Sequence, residues 1–86
     1  MSETREVRLK RLHMRSIRRG IKEMDIVLTK FSETEVAQLN DAELDCYDAM
    51  LHENDQDLYQ WVTGQVDAPT DFSALISKVK RTFLNS

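Results

Sequence analysis

The 86 residues read as a single all-α domain, a compact bundle of five or six short helices, on three grounds. Apolar residues recur at helical spacing along most of the chain, and no useful stretch alternates with the period of two that a half-buried strand needs. Two glycines and one proline leave few points at which a helix is forced to stop. The length suits one core, because a chain of this size buries only about 60–65 % of its unfolded surface and needs nearly every apolar residue inside.

Residues 6–19 predict a cationic first helix. Arg8, Arg11, Arg15, Arg18, Arg19 and Lys22 gather on one side of the wheel, and Val7, Leu9, Leu12, Met14 and Ile17 spread over the other, with His13 and Ser16 between them. Residues 21–31 predict a second helix with Ile21, Met24, Val27, Leu28 and Phe31 on one stripe. Ser32 with Glu35 has the spacing of a capping box, which starts a short third helix. Asn40 with Glu43 repeats that signal, and Leu44, Tyr47 and Leu51 line the inner face that follows. Asn54 or Asp55 opens the next helix, with Leu58, Trp61 and Val62 turned inward and Gly64 as the C-cap. The stretch VDAPTD is a loop, since Pro69 blocks continuation. Phe72, Leu75, Ile76, Val79 and Phe83 give the last helix the most regular stripe, and Lys78, Lys80 and Arg81 sit where cations suit the helix dipole. Trp61 and Phe72 are expected in the core. Residues 1–5 are expected to be disordered and 85–86 to fray, with one domain over the whole chain.

The net charge of −3 conceals an uneven distribution. Residues 1–30 carry nine Lys and Arg against four acids, and residues 31–77 carry eleven acids with no Lys or Arg. The basic segment either lies against the acidic middle or offers a patch to an external partner. The lone Cys46 excludes an internal disulfide and fits a reducing compartment, taken here as the cytoplasm. No apolar run is long enough for a membrane span or a signal peptide. His52, Glu53, Asp55 and Asp57 lack the glycine and glutamate of a calcium loop, and helix capping accounts for them, so no metal site is expected. Without a Gly-rich phosphate loop or a nucleophile–base pair, no catalytic residue is expected either. A nucleic-acid-binding role for the basic helix is the alternative reading, opposed by the acidic total and the absence of interleaved aromatics.

One short run is denser than the rest: RRGIKEMD, residues 18–25. Two accounts fit it. As a helix join, Arg18 and Arg19 suit a helix C-terminus, Gly20 takes the left-handed cap, and Glu23 and Asp25 suit the next first turn. As a docking surface, the glycine admits a partner's backbone, and an arginine beside a carboxylate makes a fixed recognition pair. Spacing does not separate the two.

The same run resembles the Arg-Gly-x-x-Glu signature of the SdhE family, small assembly factors that promote covalent attachment of FAD to the flavoprotein subunit of succinate dehydrogenase. The basic helix ahead of it, the helix ending at Phe31 and NDQDLYQW at 54–61 are similar to the family layout, over roughly residues 8–84. Many relatives carry a tryptophan just before the Arg-Arg-Gly, where this chain has Met14 and Ile17. The resemblance implies that Arg19, Gly20 and Glu23 are the signature residues, followed by Asp25, with Asp57 and Trp61 in the second motif. It further implies a partner-binding set of Arg15, Arg18, Arg19, Gly20, Glu23 and Asp25. The expected partner is the flavoprotein subunit of succinate dehydrogenase, with that of fumarate reductase as a second client. FAD is expected to enter that partner rather than to be held stably by this chain, which is expected to be a monomer that binds no nucleic acid.

Overall fold

A computed structural model describes residues 3–84. Five α-helices follow one another: α1 (Arg5–Ser16), α2 (Lys22–Thr34), α3 (Asp41–Met50), α4 (Asp55–Thr63) and α5 (Thr70–Leu84). A single 3-10 turn, Val36–Gln38, joins α2 to α3. There is no strand among the described residues.

Helix starts follow the local chemistry. Asn40 accepts from the Glu43 amide while the Glu43 carboxylate takes the Asn40 amide, a complete capping box for α3. Asn54 accepts from Gln56 N at 2.8 Å and opens α4. Gly64 closes it with φ +83°, a left-handed position that suits a residue without Cβ. Thr70 and Asp71, expected in the loop, already belong to α5, which starts directly after Pro69.

Helices α2 and α5 form the centre of the bundle, and α1 packs mainly on α2. Met24, Val27, Leu28 and Phe31 of α2 meet Leu44, Tyr47, Met50, Leu58, Val62, Leu75, Ile76 and Val79 in one core cluster. The rings of Phe31 and Tyr47 lie 5.5 Å apart. Trp61 and Phe72 also face each other, at 6.0 Å, but they are half-buried against the core rather than within it.

Several expectations are corrected. Ser32 starts no helix, because α2 continues to Thr34 to keep Phe31 buried. The Ser32 hydroxyl instead donates to Thr29 O at 2.8 Å and lies 2.7 Å from His13 Nδ1. At the N-terminus, Thr4 caps α1 through Val7 N at 3.2 Å, Arg5 is helical, and Glu3 pairs with Arg11 at 2.7 Å. Residues 1–2 and 85–86 lie outside the described residues. Helix α1 stops at Ser16, short of the expected 19, and its inner face is narrow. Leu12 is fully buried, Leu9 and Ile17 are half-buried, and Val7 and Met14 are 52 % and 65 % exposed. Ser16 takes the second buried position on α1 because its hydroxyl has two partners there, Leu12 O at 2.7 Å and the Tyr47 hydroxyl at 2.6 Å.

Candidate functional site

The cations of α1 and of the turn after it are largely committed inside the protein. Arg5 pairs with Asp41 at 3.3 Å, Arg8 with Asp45, Arg11 with Asp48 at 2.8 Å, and Arg19 with Asp55 at 2.7 Å. Arg15 fills the remaining rung, donating to His52 Nδ1 at 3.1 Å. The sequence offset between partners stays at 36 or 37 residues, so α1 and α3 run alongside in the same direction. Hydrogen bonding to Arg11 holds the carboxyls of Asp48 and Glu3 below the usual carboxylate range. The basic segment therefore lies against the acidic middle. That removes the free cationic face on which the nucleic-acid reading stood.

At the end of this ladder the chain turns through residues 17–21 into α2. Ile17 is extended, with ψ 162°, and Arg18 takes the left-handed conformation with φ +56°. Gly20 does not, which corrects the expected glycine cap. The reason is that the turn's amides are satisfied by carboxylates rather than by helix carbonyls. Arg18 N donates to Asp25 Oδ1 at 2.9 Å, which also accepts from Thr29 Oγ1 at 3.2 Å. Gly20 N donates to Asp55 Oδ2 at 2.6 Å. The other oxygen of Asp55 accepts from Arg19 Nε at 2.8 Å. Arg19 also donates to Arg15 O at 2.9 Å and Leu51 O at 3.3 Å, and its side chain is only 13 % exposed. A Cβ on Gly20 would stand 3.1 Å from Asp55 Oδ2, so the close approach of that carboxylate, and no unusual φ, accounts for the glycine.

Of the predicted set, Arg18, Arg19 and Gly20 lie in this turn, Glu23 and Asp25 lie in the first turn of α2 that follows, and Arg15 lies near the end of α1 on the ladder. They differ in availability. Arg15, Arg19 and Asp25 are bonded within the protein, whereas Arg18, Gly20 and Glu23 are exposed. Among the described residues the side chains of Arg18, Lys22 and Glu23 have no partner. Asp55, Tyr47 and Ser16 hold the turn in place but were not in the predicted set. Acids at 41, 45, 48 and 55, each 36 or 37 positions after arginines 5, 8, 11 and 19, were the available signal.

No group of three or more His, Cys, Asp or Glu side chains is placed to hold a metal among the described residues. Cys46 is half-buried, its thiol donates to Asp71 O at 3.3 Å, and burial pushes its pKa up. No helix among the described residues is long and apolar enough to cross a membrane.

The family profile described as "Flavinator of succinate dehydrogenase" matches residues 10–83, which include the whole turn and both carboxylates that hold it. The chain belongs to this flavinator family. Relatives include "Succinate dehydrogenase assembly factor 2, mitochondrial" of Meyerozyma guilliermondii, 43 % identical over 65 residues, which are 76 % of this chain and 48 % of the relative. The protein of the same name from Mycosarcoma maydis is 40 % identical over 68 residues, 79 % of this chain and 29 % of that one. "FAD assembly factor SdhE" of Legionella pneumophila is 33 % identical over 63 residues, 73 % of this chain and 80 % of the relative. The matched flavinator region is thus half or less of these fungal relatives and most of the Legionella protein.

Proposed function

We propose that this protein is a non-catalytic assembly factor that binds the flavoprotein subunit of succinate dehydrogenase and promotes covalent attachment of FAD to that subunit's histidine. The observation that carries the reading is the flavinator match over residues 10–83, with an exposed, rigidly held turn inside it. Arg15, Arg18, Arg19, Gly20, Glu23 and Asp25 make up the docking region in this reading. The flavoprotein subunit of fumarate reductase, which binds the same cofactor for the reverse chemistry, is a second client.

The chemistry belongs to flavin and target. Joining histidine to the flavin requires that the two meet in line and that charge on the ring system be stabilised, which the cofactor and its own subunit supply. A helper that holds the subunit in the right arrangement acts through proximity. Stable FAD binding is not part of the reading. The turn amides that would cradle a diphosphate, Arg18 N and Gly20 N, are already bonded to Asp25 and Asp55. The factor acts as a monomer. A cytoplasmic setting is supported by the unpaired Cys46, while the fungal relatives carry a mitochondrial name.

The test is flavinylation in cells lacking their own factor, read as in-gel flavin fluorescence of the denatured flavoprotein subunit. Expression of this chain is expected to restore the fluorescent band. A subunit that stays dark, with the chain present and folded, would overturn the proposal.

A further inference from the structure

An open cleft of about 270 Å³ lies between the end of α4, the loop that follows it and α5. It is well separated from the turn at 17–21. Asp55, which holds that turn, is the first residue of α4, and Gly64 caps the other end about 14 Å along the axis. The walls of the cleft are apolar, formed by Trp61, Val66, Ala68 and Ile76. Trp61 is braced by Phe72, whose ring centre is 6.0 Å away and which does not itself line the cleft. Val66 is 46 % exposed, so part of this wall stands open to water.

The polar groups of the cleft are unequally engaged. Ser73 and Ser77 donate to Thr70 O at 3.2 Å and to Ser73 O at 3.1 Å, so neither brings a free hydrogen. Two donors remain. The Trp61 indole N–H has no acceptor among the described residues. No buried side-chain nitrogen or oxygen among them lacks a partner, so this N–H opens to solvent. Lys80 is half-buried, and its ammonium has no partner among the described residues either. The dipole of α4 favours a cation near the helix end. It does not account for an ammonium tucked beside Gly64, where a Cβ would stand 3.2 Å from Nζ, when lysine ordinarily extends its head into water. Unspent donors beside an apolar wall call for an acceptor carried on an apolar body. Asp67, the one acid of the lining, is exposed on the loop and opposes a second negative charge.

We propose that the cleft between α4 and α5 binds a small monocarboxylate, with the carboxylate received by Lys80 and the hydrocarbon body laid against Trp61, Val66 and Ile76. The size suits such a ligand. A cavity of about 150 Å³ takes a benzene ring, so this cleft has room for a six-carbon chain and its carboxylate. The site is independent of the flavinylation reading, because none of its residues belongs to the turn.

Trp61 is the only tryptophan of the chain, so its fluorescence reports the cleft without a label. Hexanoate is titrated into the whole chain at neutral pH, with hexanamide and acetate in parallel. Hexanoate is expected to change the Trp61 emission saturably, with half-saturation at about 1–10 mM, an affinity in keeping with so few atoms. Hexanamide, the same body without the charge, should bind about tenfold more weakly. Acetate, the charge without the body, should give no saturable change. Lys80→Met keeps the apolar stem, and it should weaken hexanoate about tenfold while leaving hexanamide unchanged. Lys80→Gln serves if the methionine variant does not fold. In amide NMR spectra, hexanoate should move Gly64, Val66 and the Trp61 indole N–H together. No saturable change up to about 100 mM hexanoate would overturn the site. Equal affinities for hexanoate and hexanamide, or undiminished hexanoate binding by the Lys80 variants, would overturn the carboxylate assignment. Shifts centred away from Gly64 and Val66 would overturn the location.

Discussion

Replacing Tyr47 with Phe is expected to destabilise the protein at neutral pH and to stabilise it above about pH 11. Tyr47 is fully buried, and its hydroxyl lies 2.6 Å from Ser16 Oγ. Ser16 uses its own hydrogen on Leu12 O, so Tyr47 is the donor of the pair. Burial pushes the phenol from 10.0 up to about 12, against smaller lowering from Ser16 and Arg19. A folded pKa above the unfolded one adds stability that is complete below pH 10 and is lost as pH rises through about 12. Two pH units at about 1.36 kcal/mol each make that loss a few kcal/mol. Phe avoids it, but forfeits one hydrogen bond worth about 1 kcal/mol, because Ser16 retains its bond to Leu12. The two stability curves should therefore cross between about pH 10 and about pH 11. Guanidinium unfolding of both proteins, from about pH 8 to about 11.5, measures the gap directly, and groups common to the two cancel in the difference. A gap that stays constant over that range would refute the argument. Because Ser16 is the last residue of α1, the same bond fixes the entry to the turn at 17–21.

Leu12→Ala should lower stability by about 3–5 kcal/mol, since Leu12 is the one fully buried apolar side chain of α1. At about 4–8 °C per kcal/mol a thermal melt should shift by more than 10 °C or so, and a shift under about 4 °C would contradict the packing described. Asp48→Asn should flatten the acid limb. The carboxyl is depressed by Arg11, so its contribution is present above the ordinary value of 3.8 and lost as pH falls through the lower folded value. With side chains 37 % and 24 % exposed, solvent screening limits the neutral-pH effect to within about 1 kcal/mol, and identical acid profiles for the two proteins would disprove it. Gly64→Ala should cost about 1–2 kcal/mol through its left-handed φ of +83°. The added methyl meets only the mobile tip of Lys80, so backbone strain is the cause, and an unchanged melting temperature would exclude it.

By itself, the sequence determined whatever depends on neighbours within about four positions. The Asn40–Glu43 capping box, the Asn54 cap, the left-handed Gly64 and the regular stripe of α5 all follow from residues that touch their own backbone or the next helical turn. The turn at 17–21 was legible as a place because its composition is dense in charge and its signature resembles a known family. Its workings were not. The left-handed residue is Arg18 rather than Gly20, since Asp25, seven positions on, accepts the Arg18 amide. Gly20 is required by Asp55, 35 positions away, and Arg19 is withdrawn from the surface by the same carboxylate. Ser32 had the spacing of a helix start and became helix interior, because burial of Phe31 outweighed a local capping signal. A short-range hydrogen bond is written in the spacing of the residues that make it. The choice of ion-pair partner, and with it which charges remain free to meet another protein, depends on distances that exist only once the helices have packed.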